Sequence, residues 1–389
     1  MIIRKLSAKL KIVRPHFPIL AILGPRQSGK TTLAKTLFDD LPYITLEDRD
    51  TQRFAIEDPR GFLNNLKEGA VIDEAQNAPD LFSFLQTHVD ALQKKGRFIL
   101  TGSQNFLMHS KISQSLAGRV VLSTLLPLSL EEIGENSKDL LNHVLQGGYP
   151  ALQTMPEETF TAWFNSYVQT YIERDVHSLK NIGDLSKFRL FLELCANRVG
   201  QVLNISSLAQ DAGIARQTAT QWLSLLEASF VIFLLKPYHT NYNKRLIKNP
   251  KLYFFDTGIV NYLIGIRQKE QLLKSYLKGS IIENWVMSEL YKAHTNRLIP
   301  QKLYFWRDRT GHEVDCLLET GTTVRAIEVK SSETIQKEYY KSIGYWQKIS
   351  GHQDAFLIYG GTRQEDRHNV TAIGWQALAT ESLIETLLQ

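Results

Sequence analysis

Cysteine is nearly absent from the 389-residue chain: Cys195 and Cys316 are the only two. A disulfide framework and a cysteine-based zinc site are both excluded, and a reducing, cytoplasmic setting is expected. No apolar run reaches the length needed to span a bilayer. The start, Met1-Ile2-Ile3-Arg4-Lys5-Leu6, has no long apolar core or small-residue cleavage site, so no signal peptide is expected. Neither internal repeats nor low-complexity stretches occur. Neither sign of charge dominates: the net charge is +5, which permits nucleic-acid binding but does not by itself indicate it. What remains is the composition of a soluble globular protein, long enough for two or three domains.

The most informative stretch is Ala21–Leu33. Ile19–Leu23 reads as a buried strand, and Gly24-Pro25-Arg26-Gln27-Ser28-Gly29-Lys30-Thr31 then matches G-x-x-x-x-G-K-T. Glycines at 24 and 29 let backbone N–H groups turn toward phosphate oxygens. Lys30 is placed to reach the β- and γ-phosphates, Thr31 to ligate Mg²⁺, and Thr32 follows in the helix that opens there. A second signal is Ala70-Val71-Ile72-Asp73-Glu74, apolar residues that end in two carboxylates. Asp73 is expected to hold Mg²⁺ and Glu74 to polarise the attacking water. The strand Phe98–Gly102 ends in Ser103-Gln104, either of which is a candidate γ-phosphate sensor at a strand's carboxyl end.

These segments, with Phe98-Ile99-Leu100-Thr101-Gly102-Ser103-Gln104, the run from Ser115 to Ile133 and Gly147-Gly148-Tyr149-Pro150, resemble the AAA+ ATPases. The resemblance is to the bacterial and archaeal family that joins an AAA_14 domain to a DUF4143 domain, and it spans nearly the whole chain. It implies ATP with Mg²⁺ as cofactors and a homo-oligomer. Arg119 falls where such motors often place an arginine finger, acting in trans. Pairing with a surface carboxylate, or contact with its own subunit's nucleotide, are the alternatives. The expected fold class is α/β: a P-loop core (1–135), a helical lid or linker (136–200), a winged helix-turn-helix (201–268) and a restriction-endonuclease-like α/β domain (269–389).

The helix-turn-helix reading rests on Leu208, Ala209, the turn at Gly213, and Trp222, Leu223 and Leu226. If DNA is the partner, Arg216, Gln217, Thr220 and Gln221 form the exposed face, and Arg245 and Lys248 contact phosphates from the wing. Scaffolding or protein docking is the alternative. Ser129 and Glu132 form a capping box.

In the last third, Asp315 stands thirteen residues before Glu328-Val329-Lys330. Strand alternation puts Glu328 and Lys330 on one face. Asp315 on the adjoining strand of a hairpin, and Glu283 on the preceding helix, complete a carboxylate set. The pattern resembles the PD-(D/E)xK nuclease fold. It implies that Glu283, Asp315 and Glu328 share Mg²⁺ or Mn²⁺, while Lys330 orients the water or stabilises developing charge. A domain that binds nucleic acid or a partner without cutting remains the alternative.

Overall fold

The structure is a computed structural model, and it describes residues 2–103, 115–134, 139–172, 184–238 and 248–388. The chain forms two compact units. The first comprises Met1–Leu128 with Ala228–Phe230 and Thr295–Ile299. The second comprises Ser129–Glu227, Val231–His294 and Pro300–Gln389. Among the described residues no helix is long and apolar enough to cross a membrane.

Five strands form the sheet of the first unit: β1 (Ile19–Leu23), β2 (Tyr43–Thr45), β3 (Ala70–Asp73), β4 (Phe98–Gly102) and β5 (Val120–Thr124). All pairings are parallel, in the order β2-β3-β4-β1-β5. Parallel sheets are covered on both faces, so their strands read as unbroken apolar runs. β1 shows this: Ile19, Leu20, Ala21 and Ile22 are completely buried. Leu33, Ala34 and Phe38, on and just beyond helix α1 (Lys30–Leu37), pack on Leu20, Ile22, Val71 and Ile99. Helix α2 (Leu81–Leu92) buries Leu81, Phe82, Leu85 and Val89. Because the strands are parallel, the carboxyl ends of β1, β3 and β4 open on one edge, where ligands of open α/β sheets bind.

In the second unit the expected capping box is present: Glu132 N–H donates to Ser129 Oγ at 3.3 Å, and Ser129 N–H donates to Glu132 at 3.0 Å. Trp163 stacks on Tyr167 with centroids 5.0 Å apart. Helices α3 (Ile205–Asp211) and α4 (Arg216–Ala228) flank a turn at Gly213, whose φ of 63° favours glycine. α4 buries Ala219, Trp222, Leu223 and Leu226. An antiparallel hairpin follows, β6 (Ile232–Leu235) with β7 (Lys251–Phe254).

Helix α5 (Lys278–Arg297) leads into a mixed sheet. Its strands are β8 (Leu303–Arg307), β9 (Glu313–Thr320), β10 (Thr323–Lys330), β11 (Ala355–Tyr359), β12 (Glu365–Arg367) and β13 (Val370–Gly374). Their order is β12-β13-β11-β10-β9-β8, with β10, β11 and β13 parallel. Ile343 and Trp346 of helix α6 (Lys341–Ser350) pack on Val314, Leu317, Ala326 and Leu357.

Glu289 of α5 is a buried charge in this unit. It accepts from Leu130 N–H at 2.6 Å and from Lys292 Nζ at 2.8 Å, with His143 Nε2 at 3.9 Å. Burial alone would raise its carboxyl, but Lys292 and His143 outweigh it and hold the pKa at about 2. A depressed carboxylate stabilises the fold above its unfolded pKa, and that contribution is lost as pH falls from about 4.5 toward 2. Glu289→Gln is therefore expected to cost about 3 kcal/mol at pH 7 in urea unfolding. The gap to wild type should close as the medium is acidified through that window; equal stability at pH 7 would contradict the assignment.

Candidate functional site

The loop after β1 is shaped by two glycines. A Cβ on Gly24, whose φ is 150°, would lie 2.1 Å from the Leu125 carbonyl oxygen. Gly29 caps α1 in a left-handed conformation, φ 94°. Lys30 is buried and its Nζ donates to the carbonyls of Gly24 at 3.0 Å and Pro25 at 2.8 Å, so the ammonium spans the loop it serves. Ser28 is fully buried, and its hydroxyl has no partner among the described residues. Pro25 is buried, Arg26 half-buried, and Gln27 and Thr32 exposed. Arg4 is a residue that motif reading misses. Its buried guanidinium donates to Ser28 O at 2.7 Å and Leu126 O at 2.6 Å, tying the loop to the chain after β5.

Asp73, at the end of β3, is 4% exposed and collects hydroxyls from three elements. Thr31 Oγ1 donates at 3.0 Å and Tyr43 OH at 2.6 Å, both to Oδ2, while Thr101 Oγ1 donates to Oδ1. Burial, together with the Asp73 charge, raises the Tyr43 phenol above its ordinary range, so it stays a donor. Glu74 sits at φ 54°, a left-handed conformation that costs a non-glycine residue energy and is typical of functional sites. Its N–H donates to Thr101 Oγ1 at 3.3 Å. Its carboxylate receives Ser103 Oγ at 3.1 Å and Gln76 Nε2. Thr31, Asp73, Glu74 and Ser103 thus meet beside the loop; Gln104 lies outside the described residues.

These residues fit Mg²⁺ and a nucleotide. The donor set is all oxygen, as a hard cation requires. Among the described residues the hydrogen-bond partners of the buried Asp73 carboxylate are neutral hydroxyls, and the Ser28 hydroxyl, without a partner there, can donate to a phosphate oxygen.

Arg119 is elsewhere. β5 runs parallel to β1 with Val120 opposite Ile19, so Arg119 precedes the amino end of the sheet while the loop follows its carboxyl end. Five residues of strand, about 16 Å, separate the two ends. Arg119 and its own subunit's phosphate-binding loop thus lie at opposite ends of the sheet. The guanidinium instead forms a two-pronged pair with Asp90 of α2, at 2.6 and 2.7 Å.

In the second unit the residues expected to form the carboxylate set do converge. The β9–β10 register, Cys316 opposite Ile327, brings Glu328 level with Asp315. Val329 N–H donates to Asp315 at 2.9 Å. Lys330 Nζ lies 2.6 Å from Glu328 and 3.8 Å from Asp315. Sequence reading missed Lys251 of β7. Its Nζ lies 2.8 Å from Glu283 and 3.8 Å from Asp315, and it also meets Glu313. Tyr253 OH donates to Glu283 at 2.5 Å. Burial pushes the Glu283 carboxyl above its ordinary range, and burial with the Asp315 charge does the same to Glu328. The shared divalent ion expected of Glu283, Asp315 and Glu328 does not fit this arrangement, because ammonium groups already stand among the carboxylates. Among the described residues no group of three or more His, Cys, Asp or Glu is disposed to hold a metal.

On α4, Arg216, Gln217 and Thr220 are exposed and Gln221 half-buried; Lys248 is exposed, and Arg245 lies outside the described residues. Thr220 Oγ1 donates back to Arg216 O at 3.0 Å.

Residues 16–134 match an AAA domain family (AAA_14), residues 137–270 a domain of unknown function (DUF8612), and residues 278–378 a domain of unknown function (DUF4143). An uncharacterized protein of Mycobacterium tuberculosis is 31% identical over 333 residues, 85% of this chain and 74% of that protein. An uncharacterized protein of Methanocaldococcus jannaschii is 26% identical over 337 residues, 77% of this chain and 72% of that one. Among solved structures, the Walker-type ATPase of Pyrococcus abyssi aligns over 67% of this chain and 94% of its own, at 17% identity and a TM-score of 0.46.

Arg4→Ala would leave two buried carbonyls of the loop region without their charged donor. The expected cost is about 2 kcal/mol of stability, with ATP affinity weakened about tenfold, roughly 1.4 kcal/mol. Nucleotide titration checks this, and unchanged affinity would show that Arg4 does not hold the loop.

Proposed function

As this chain belongs to the AAA ATPase family that joins an AAA_14 domain to a DUF4143 domain, we propose that it hydrolyses ATP with Mg²⁺ and uses that cycle as a switch on a DNA-binding second unit. The observation that carries the first half is the Asp73 carboxylate, held by Thr31, Tyr43 and Thr101 beside the phosphate-binding loop. Mg²⁺ bound at Thr31 and Asp73 would neutralise charge developing between the β- and γ-phosphates. Lys30 would exchange the Gly24 and Pro25 carbonyls for phosphate oxygens. Glu74 would draw the proton from a water as its oxygen bonds to the γ-phosphorus and the bond to the bridging oxygen breaks. Ser103, whose hydroxyl is already on the Glu74 carboxylate, supports the sensor role proposed for the end of β4.

The second half rests on less. Arg216, Gln217, Thr220 and Gln221 along one helix, with Lys248 just before β7, support DNA as the partner. Protein docking on the same face is the competing reading. For the carboxylate cluster, the lysines among Glu283, Asp315 and Glu328 favour a domain that binds without cutting over a metal-dependent nuclease. The Arg119–Asp90 pair favours a surface role for Arg119; a finger acting on another subunit would have to break it.

Two measurements on the purified chain test the proposal. ATP turnover should require Mg²⁺ and vanish in Lys30→Ala; turnover that survives this change would exclude the loop as the site. DNA retention should weaken steeply between low and moderate salt, and less steeply in Arg216→Ala. A flat salt response would turn the assignment from DNA to a protein partner.

A further inference from the structure

The cluster on α5, β9 and β10 holds four carboxylates, those of Glu283, Glu313, Asp315 and Glu328. Three cations answer them. Lys251 Nζ touches Glu283, Glu313 and Asp315. Lys330 Nζ lies against Glu328 and Asp315, and Arg307 Nη1 lies 3.2 Å from Glu313. Lys251 is 2% exposed, an extreme value for a lysine, and its ammonium also lies 5.7 Å from the Phe305 ring centroid.

The backbone that carries Lys251 is pinned on all sides. It is paired with Leu235 across the hairpin and bridged to Val202. Leu252 N–H donates to Gln201 O at 3.1 Å. The Asn284 side chain on α5 takes Phe254 N–H at 2.6 Å and returns a bond to Phe254 O at 3.2 Å. Neighbouring Tyr253 donates to the same Glu283 oxygen as Lys251. Strand, helix and side chains therefore hold the ammonium at one spot.

We infer that Lys251 Nζ permanently takes the place that a divalent cation would occupy among Glu283, Glu313 and Asp315, making the cluster a metal-free joint between the β6–β7 hairpin, α5 and β9. The energetics favour this. A metal ion entering here would have to displace a buried ammonium from its carboxylates, and breaking a buried ion pair is strongly unfavourable. Among the described residues, the buried cluster oxygen without a hydrogen-bond partner is Glu328 Oε2, on a carboxylate outside that trio. Mg²⁺ requires near-octahedral oxygen coordination. Lys251 is thus a positioning residue, acting through charge, and the cluster neither binds Mg²⁺ or Mn²⁺ nor cuts a phosphodiester by their help. The inference depends on neither ATP hydrolysis nor DNA binding.

The test is direct Mn²⁺ binding, read by the electron paramagnetic resonance of the free ion. The full chain carries Asp73→Asn so that the phosphate-binding loop contributes no metal. This chain is expected to bind no Mn²⁺ at millimolar concentration. Adding Lys251→Met should create one Mn²⁺ site per chain, lost again when Asp315→Asn is added. Mn²⁺ bound by the Asp73→Asn chain and released by Asp315→Asn would overturn the inference. So would a folded Lys251→Met chain that binds none. If Lys251→Met fails to fold, the Asp73→Asn and Asp315→Asn comparison decides alone.

Discussion

The Asp73 carboxylate is the point on which the first unit turns. It is nearly buried at the end of β3, and its direct partners there are hydroxyls of Thr31, Tyr43 and Thr101. That meeting needs the strand order: β3 lies between β2, which brings Tyr43, and β4, which brings Thr101. Thr31 arrives because β1 sits on the other side of β4 and its loop opens on the same edge. Neutral hydroxyls orient a carboxylate without cancelling its charge, and a desolvated negative charge so held is an incentive for a cation to bind. Next to it, Glu74 accepts a left-handed backbone that its own chemistry does not favour, and Ser103 and Gln76 hold its carboxylate.

The second unit solves a charge problem in the opposite way. Four carboxylates come close together, but lysines and an arginine are folded in among them. Charge there is met by the chain itself. The same residue types, aspartate and glutamate, thus serve two ends. In one site the deficit of positive charge is left for a ligand. In the other it is filled by Lys251 and Lys330, and the product is cohesion between the hairpin, α5 and the mixed sheet.

The sequence revealed what lies in short, ordered stretches. The phosphate-binding loop is contiguous, so its spacing carries its geometry. Asp73 and Glu74 follow an apolar run whose burial on both faces explains its composition. Asp315 and Glu328 were legible because a hairpin places them a fixed distance apart. Residues that meet across long separations were not legible. Arg4, Tyr43 and Thr101 join the first site from separate elements, with no local pattern to mark them. Lys251 reads as the polar start of an apolar strand, Leu252 to Phe255, and only the packing of that strand on α5 and β9 shows where its ammonium goes. The Arg119–Asp90 pair likewise joins residues of separate elements with no local pattern to mark it.

The central claim is that Glu74, in its strained position beside Asp73, activates water against ATP. The most direct measurement is phosphate release with Mg²⁺·ATP by wild type and Glu74→Gln, with ATP affinity measured in parallel. The account predicts that Glu74→Gln binds ATP as tightly as wild type and releases phosphate at least about 100-fold more slowly, the scale of a lost general base. Wild-type turnover in Glu74→Gln would contradict it.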